Sequence, residues 1–240
     1  MFRTVQHVAI VGFAAALGAN VRADVIDAHI AAVGGTEALA KIKTMQRKGN
    51  IAIEGEFGQF DGTRREAIIN GKKAYTATDF GAFASQSGWN GEIGWDKNAG
   101  QEPKEIEGDE LETLKLSAGI DPLAAIKHQY GQAAFKLAGD QELDGRTYDA
   151  VDIVDTGWTF FLDKQTKLIA AMITKRNDPN LGGELVLKIA YDDYQAVEGV
   201  QLPHKTVTDI ADGRAVMTTT YTETTVNQPI NDTLFDWPTE

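Results

Sequence analysis

The stretch WTFFLDKQTKLIAAMITKR, residues 158–176, contains two runs of strand-forming residues joined by a polar turn. Aromatic and β-branched side chains favour strands in both runs, and the polar residues 164–167 between them suit a hairpin. Both faces of the second run, from Leu168 to Ile173, are apolar. This pattern indicates either a central strand buried on both faces or a strand that lines an apolar cavity.

The two-residue period of that hairpin extends through most of the chain. From Met45 onward, segments of alternating apolar and polar residues are separated by turn signals such as Asn70-Gly71 and Asp144-Gly145. About ten strands with tight turns are typical of one antiparallel meander. Because so large a sheet must curl or split, we predict an α+β fold, mainly antiparallel β. It is a curved half-barrel sheet of about ten strands covered by short helices on its concave face.

Two helical regions are expected to supply this cover. Residues 24–44 carry apolar side chains at helical spacing around two adjacent glycines. A phosphate-binding loop follows a strand, whereas a helix precedes these glycines, so we interpret them as a helix bend. The second region, residues 105–131, contains the helix-start signal Asp121-Pro122. The glycines expected to bound mobile, lid-like helices are Gly34, Gly35 and Gly119.

The beginning of the chain predicts export. Residues 1–23 combine Arg3, an apolar run of about 12 residues and small residues before Asp24, as secretory signal peptides do. The alternative is a membrane anchor, but a spanning helix needs about 20 apolar residues. The chain has no cysteine, which excludes disulfides, thiolate metal sites and lipid attachment at cysteine. We predict a signal peptide at 1–23 and a single soluble periplasmic domain at 24–240.

The charge of the chain argues against nucleic acid as a partner. The formal net charge is −12 at pH 7, and no cluster of lysine and arginine with interleaved aromatic residues occurs. The same charge disfavours electrostatic docking on anionic lipid surfaces.

Familiar catalytic patterns are missing from the sequence. The three serines lie outside any G-x-S-x-G motif, and none of the four histidines has an H-E-x-x-H context. We predict no catalytic residues, no metal and no cofactor, and interpret the protein as non-enzymatic. One enzymatic alternative is a secreted hydrolase that uses two carboxylates from distant strands.

Five segments resemble, in the same order, the LolA/LolB-like superfamily, in particular its outer membrane lipoprotein-sorting branch. They are AVGGTEALAKIKT (32–44), WNGEIGWDKNAG (89–100), FFLDKQTKLIAAM (160–172), YQAVEGVQLPHKT (194–206) and VNQPINDTLFDWP (226–238). Each alone is a turn or hairpin signature, and their common order makes the resemblance specific.

The resemblance implies a half-barrel with helices on its concave side and a hydrophobic cavity for acyl chains. It implies a soluble, monomeric periplasmic carrier of lipid or lipoprotein acyl chains, whose partners would be an inner-membrane transporter or an outer-membrane receptor. An envelope sensor or binding module without transport activity is the alternative within the same fold.

The candidate cavity residues are chosen from one pleat face of the predicted sheet. Two tryptophans are expected at the cavity mouth, Trp89 and Trp95, because an amphipathic ring tolerates both environments. The expected lining residues are Trp158, Phe160, Leu162, Leu168, Met172, Leu185, Leu187 and Ile189.

Overall fold

The computed structural model describes residues 25–239, apart from residues 57, 82, 179–182 and 212 and the side chains of 176–178. The predicted signal peptide, residues 1–23, lies outside the described residues. The α-helices are α1 (25–33), α2 (Gly35–Lys41), α3 (Gly108–Ser117) and α4 (Pro122–Tyr130). Two short 3-10 helices span Gln132–Ala134 and Asp232–Phe235.

The described strands form one 13-stranded sheet. The first six are β1 (Thr44–Gly55), β2 (Gly58–Ile69), β3 (Lys73–Asp79), β4 (Ala84–Trp89), β5 (Gly94–Asn98) and β6 (Lys104–Ile106). The others are β7 (Phe135–Leu143), β8 (Arg146–Ile153), β9 (Trp158–Leu162), β10 (Ile169–Asp178), β11 (Gly183–Val197), β12 (Val200–Ile210) and β13 (Ala215–Val226).

The strand order is β6-β5-β4-β3-β2-β1-β13-β12-β11-β10-β9-β8-β7. All described pairings are antiparallel, and the sheet is open because its edge strands β6 and β7 do not pair. The predicted α+β half-barrel class is confirmed, but the described sheet has 13 strands where about ten were predicted, and their order differs from a single meander. The chain runs outward from β1 to β6, crosses to the opposite edge through α3 and α4, and returns until β13 pairs with β1.

The local turn predictions are confirmed. Gly71 has a φ of 68° between β2 and β3, and Asp144 and Gly145 have φ values of 51° and 75° between β7 and β8. The consecutive positive φ angles of Asp144 and Gly145 match the right-handed twist of the strands that a tight hairpin joins.

The double glycine bends the chain between α1 and α2, as predicted. Gly34 has a φ of 133°, and a Cβ atom there would lie 2.3 Å from the carbonyl oxygen of Gly199, in the β11–β12 turn. Gly35 has a φ of 84°, and its Cβ position is open. Gly34 therefore serves a close backbone approach that brings two of the five family-like segments together.

The main core lies on the face of the sheet that the helices cover, here called the concave face. Side chains from all four α-helices pack there against β8, β9 and β12. Its fully enclosed members include Ile26, Leu123, Ile126, Phe160 and Leu162, each at most 1% exposed. Burying such side chains stabilises the fold by about 1.5–3 kcal/mol each.

A smaller cluster on the opposite, convex face is closed by the C-terminal segment. Trp95 and Tyr75 pack there against Phe235 of the last 3-10 helix. Trp95 is 1% exposed and its Nε1 donates a hydrogen bond to the carbonyl oxygen of Phe235 at 2.9 Å. The tryptophan hairpin and the C-terminal family-like segment therefore stabilise each other.

Candidate functional site

A pocket of about 400 Å³ lies between helices α3 and α4 and the connection from β8 to β9. Its floor is apolar, and carboxylates stand at its rim. Small-molecule sites typically have volumes of about 300–1,000 Å³ and combine apolar walls with few polar groups. The floor residues that matter most here are Leu116, Ile126, Ala134, Ile153 and Trp158.

Helix α4 forms one wall because its start is fixed by the sequence. Asp121 caps the helix by accepting a hydrogen bond from the backbone nitrogen of Ala124 at 2.8 Å, and Pro122 occupies the first turn. Gly119 lets the preceding connection pack closely, since a Cβ there would lie 2.6 Å from the Cβ of Ala125. The lid role expected for Gly119 stays a prediction.

The rim holds an ionised carboxylate. Glu112 accepts hydrogen bonds from the Lys115 ammonium at 2.8 Å and the Tyr130 hydroxyl at 2.9 Å. The hydrogen bond from Lys115 holds the pKa of Glu112 below its usual range, and Tyr130 adds to this. Charged and polar groups therefore stand around an apolar floor.

The structure places the eight predicted lining residues on the concave face. In the register, Met172 lies opposite both Phe160 and Ile189, and directly paired antiparallel residues share a face. Of the eight, Trp158 lines the pocket. The other seven lie on the same face but outside the lining of this pocket: Phe160, Leu162, Leu168, Met172 and the β11 side chains Leu185, Leu187 and Ile189.

The two tryptophans expected at a cavity mouth lie on opposite faces of the sheet. Trp89 packs against the concave core, whereas Trp95 is enclosed on the convex face. In the β4–β5 register, Trp89 pairs with Gly94 and Gly88 pairs with Trp95. Because paired residues share a face, Trp89 and Gly94 lie on the concave face, whereas Gly88 and Trp95 lie on the convex face. The prediction that Trp95 lies at the mouth of a concave cavity is therefore wrong.

The cavity was predicted to be lined by strands, and its helical walls were not predicted. Leu116, Ile126 and Tyr130 line the pocket from α3 and α4. Ile126 and Tyr130 lie four residues apart on α4 and therefore on one side of that helix. This spacing is the sequence signal that could have indicated a helical wall.

A charged cluster also lies on the concave face, where β1, β2 and β13 meet. Glu66 accepts hydrogen bonds from Arg64 Nε at 2.7 Å and from the Tyr221 hydroxyl at 2.6 Å. The Arg47 guanidinium stacks 3.3 Å from the Tyr221 ring centroid and donates to the carbonyl oxygen of Pro203. These residues, Arg47, Arg64, Glu66 and Tyr221, are called the arginine cluster below.

Sequence analysis did not identify the arginine cluster, although its pattern was visible. Arg47 lies on the same buried face of β1 as Met45 and Ile51, so a charged residue occupies a position in a row of apolar ones. A charged residue at a core-facing strand position signals a buried ion pair or a binding group.

The charges of the arginine cluster are maintained in the folded protein. Burial alone would raise the pKa of Glu66, but Arg64, Arg47 and the Tyr221 hydroxyl together hold it below its usual range. Burial raises the pKa of the Tyr221 hydroxyl, so it stays protonated and donates.

His29 joins three parts of the concave side. Its Nε2 lies 3.0 Å from Asp121 Oδ2 at the start of α4, and its Nδ1 lies 2.8 Å from the Lys167 carbonyl oxygen in the β9–β10 turn. A carbonyl only accepts, so Nδ1 carries a proton. Burial alone would lower the pKa of His29, but the charge and hydrogen bond of Asp121 outweigh it, and the pKa is raised.

We predict that His29 makes stability depend on pH. Because its folded-state pKa lies above the ordinary 6.5, its contribution is complete below pH 6.5 and declines as the pH rises through the folded-state pKa. The groups that face it are the Asp121 carboxylate and the Lys167 carbonyl. Urea unfolding of wild type and His29→Gln from pH 5.5 to 8.5 should show a difference that shrinks with rising pH, whereas a constant difference would contradict the prediction.

The described residues contain neither a cluster of metal-ligand side chains nor a membrane-spanning helix. No group of three or more histidine, aspartate and glutamate side chains there is arranged to hold a metal ion. Among the helices of residues 25–239, as described, none is long and apolar enough to cross a bilayer.

Comparison with known proteins identifies the fold. No family model and no curated protein matches the sequence. A solved domain described as an outer membrane lipoprotein-sorting protein from Vibrio parahaemolyticus aligns with a TM-score of 0.59 and 10% identity over 91% of this chain and 97% of that one. A DUF1329 family protein from Desulfovibrio piger aligns with a TM-score of 0.56 and 10% identity over 89% of this chain and 96% of that one.

A third solved structure supports the same conclusion. A LolA superfamily protein from Nitrosomonas europaea aligns with a TM-score of 0.54 and 10% identity, covering 86% of this chain and 96% of that one. At such identities the likeness concerns the fold. This chain has the LolA-like fold.

Proposed function

We propose that this protein binds the acyl chain of a lipid or lipoprotein in the pocket between α3, α4 and the β8–β9 connection. The observation that carries the proposal is the apolar floor of that pocket at the junction of helices and concave sheet. Burying one methylene group contributes about 0.8 kcal/mol, so a bound segment of about eight methylenes would gain roughly 6 kcal/mol.

The surroundings of the pocket support a binding role. The floor offers apolar contact, and the Glu112–Lys115 pair and Tyr130 lie at its solvent side. Binding of this kind needs only that apolar surface be removed from water. The name of the Vibrio parahaemolyticus domain refers to lipoprotein sorting, and we extend that role to this chain as a periplasmic carrier.

The carrier role implies further partners and movements. The cargo would be received from an inner-membrane transporter and passed to an outer-membrane receptor, with the protein acting as a soluble monomer. The helices bounded by Gly34, Gly35 and Gly119 are the proposed lid, and of these helices α3 and α4, which flank Gly119, line the pocket.

Filling the pocket tests the proposal. Ala133 lines the pocket and is exposed, so Ala133→Trp should occupy its space without disturbing the core. Excluding two to four methylenes would weaken binding of decanol, an uncharged single-chain probe, by about 15- to 200-fold. Isothermal titration calorimetry measures the affinity.

The matched control is Ala99→Trp, which adds the same side chain at an exposed alanine in the β5–β6 turn, outside the pocket. Its decanol affinity should equal that of wild type. Equal affinity in both variants, or the lack of decanol binding by wild type, would refute the proposed pocket.

A further inference from the structure

The arginine cluster contains more positive than negative charge. Two guanidinium groups, Arg47 and Arg64, face one carboxylate, Glu66. Among the described residues, no second carboxylate lies within ion-pair distance of either arginine. Guanidinium groups stay protonated in proteins, so the cluster cannot remove its excess charge by titration.

The excess charge coincides with an unused hydrogen-bond donor on Arg47. Arg47 is 7% exposed, and its Nε has no hydrogen-bond partner in the described structure. Arg47 Nη1 lies 3.9 Å from Glu66 Oε2, too far for a hydrogen bond. Arg64 donates from its Nε to Glu66 and also interacts with the Tyr221 hydroxyl, so Arg47 Nε is the donor of the cluster that has no partner. Unpaired buried donors are costly, so this arrangement favours an acceptor that carries negative charge.

The cluster can be reached from solvent through Arg64. The side chains of Arg64 and Glu66 are 23% and 18% exposed, whereas that of Arg47 is 8% exposed. A ligand that enters from the concave side would therefore meet Arg64 first, with Arg47 behind it.

Apolar side chains follow the cluster along the same face of β2. Ile68 packs in the concave core and so identifies the concave face of β2. Because side chains alternate between faces, Arg64, Gly62 and Phe60 lie on the same face as Ile68. Four residues of strand place Phe60 about 13 Å from Arg64. The register adds Ile53 opposite Phe60 and Met217 opposite Ile53. Positive charge is thus followed by an apolar surface that is partly open.

We propose that the arginine cluster binds the anionic head group, a carboxylate or phosphate, of a single-chain amphiphile whose chain extends toward Ile53, Phe60 and Met217. The proposal rests on the proposed function in taking the ligand to be an amphiphile. It places the head group on β1, β2 and β13, away from the β8–β9 pocket, so the two sites can be tested separately.

The test compares two probes that differ in head-group charge. Decanoate and decanol are titrated at pH 8 into wild type, Arg64→Gln, Arg64→Lys and Arg65→Gln. Arg65 is the matched control because it is the next residue of β2 and points to the convex face. Arg64→Gln should weaken decanoate binding about tenfold or more, since it removes a charge-assisted contact. Arg64→Lys should recover part of the affinity, and Arg65→Gln should retain all of it.

Each result decides the proposal. Decanol binding should be the same in Arg64→Gln and wild type, with thermal unfolding confirming that the variant is folded. A decanoate affinity within twofold of that of Arg65→Gln, or an equal loss for decanol, would overturn it. Acetate or phosphate binding as tight as that of decanoate would identify a free anion as the ligand and reject the amphiphile.

The proposed pocket and the anionic site fail in different ways. If the pocket is wrong, Ala133→Trp leaves decanol binding unchanged while the effect of Arg64→Gln on decanoate persists. If the anionic site is wrong, Arg64→Gln leaves decanoate binding unchanged while the effect of Ala133→Trp on decanol persists.

Discussion

Replacing Gly34 with alanine is expected to lower the free energy of unfolding by about 3 kcal/mol or more. A φ of 133° is strained for any residue with a side chain, and the added Cβ would lie 2.3 Å from the Gly199 carbonyl oxygen. Backbone strain and overpacking each contribute about 1–3 kcal/mol. Urea denaturation followed by circular dichroism measures the loss.

Gly35→Ala is the matched control for this prediction. Its φ of 84° also disfavours alanine, but no atom lies within 4 Å of the new Cβ. The expected loss is about 1–2 kcal/mol from backbone strain alone. Equal losses in the two variants would show that the close approach to the β11–β12 turn is not what requires Gly34.

Replacing Asp121 with alanine is expected to lower the free energy of unfolding by about 4 kcal/mol. The change removes the cap that binds the Ala124 nitrogen and leaves His29, which is fully buried, without its carboxylate. Loss of a cap costs about 1 kcal/mol, and loss of one partner of a buried ion pair costs about 3–5 kcal/mol. Chemical denaturation at pH 6 measures the change.

Asp121→Asn separates the two roles of the residue. The amide oxygen keeps an acceptor for either the Ala124 nitrogen or His29, while the negative charge is removed. We expect a loss of about 1–2 kcal/mol and a lower pKa for His29, observable by NMR titration of its imidazole. If Asp121→Ala proved as stable as Asp121→Asn, His29 would not depend on this carboxylate.

Local chemistry made much of the fold predictable. Asn70-Gly71 and Asp144-Gly145 lie in the predicted hairpin turns, because few residue types accept the positive φ angles of Gly71, Asp144 and Gly145. Asp121-Pro122 starts α4 because the cap and the fixed proline φ act within one turn. These signals need no knowledge of distant residues.

Long-range pairing was not predictable in the same way. The pairing of β1 with β13 depends on packing across the whole sheet, and no local turn specifies it. The face of Trp95 depended on the β4–β5 register, which is set by the number of residues in the connecting loop.

The candidate site shows the same division. The structure places Trp158 at the pocket because an alternating strand pattern assigns side chains to faces, and its role in ligand binding stays a prediction. The helical walls, such as Ile126 and Tyr130, depend on how α3 and α4 dock on the sheet. Docking geometry arises from side-chain packing between elements that are distant in sequence.

The partnership of β1 with β13 also determines when the molecule can finish folding. Met45 of β1 lies opposite Val226 of β13, so the middle of the sheet joins the first described strand to the last. Contacts between residues far apart in sequence form slowly, because closing the long loop between them costs entropy before the contacts can stabilise the fold. A nascent chain that stops before Ala215 would expose an unpaired edge on β1, and the complete sheet can assemble only after synthesis of the last strand.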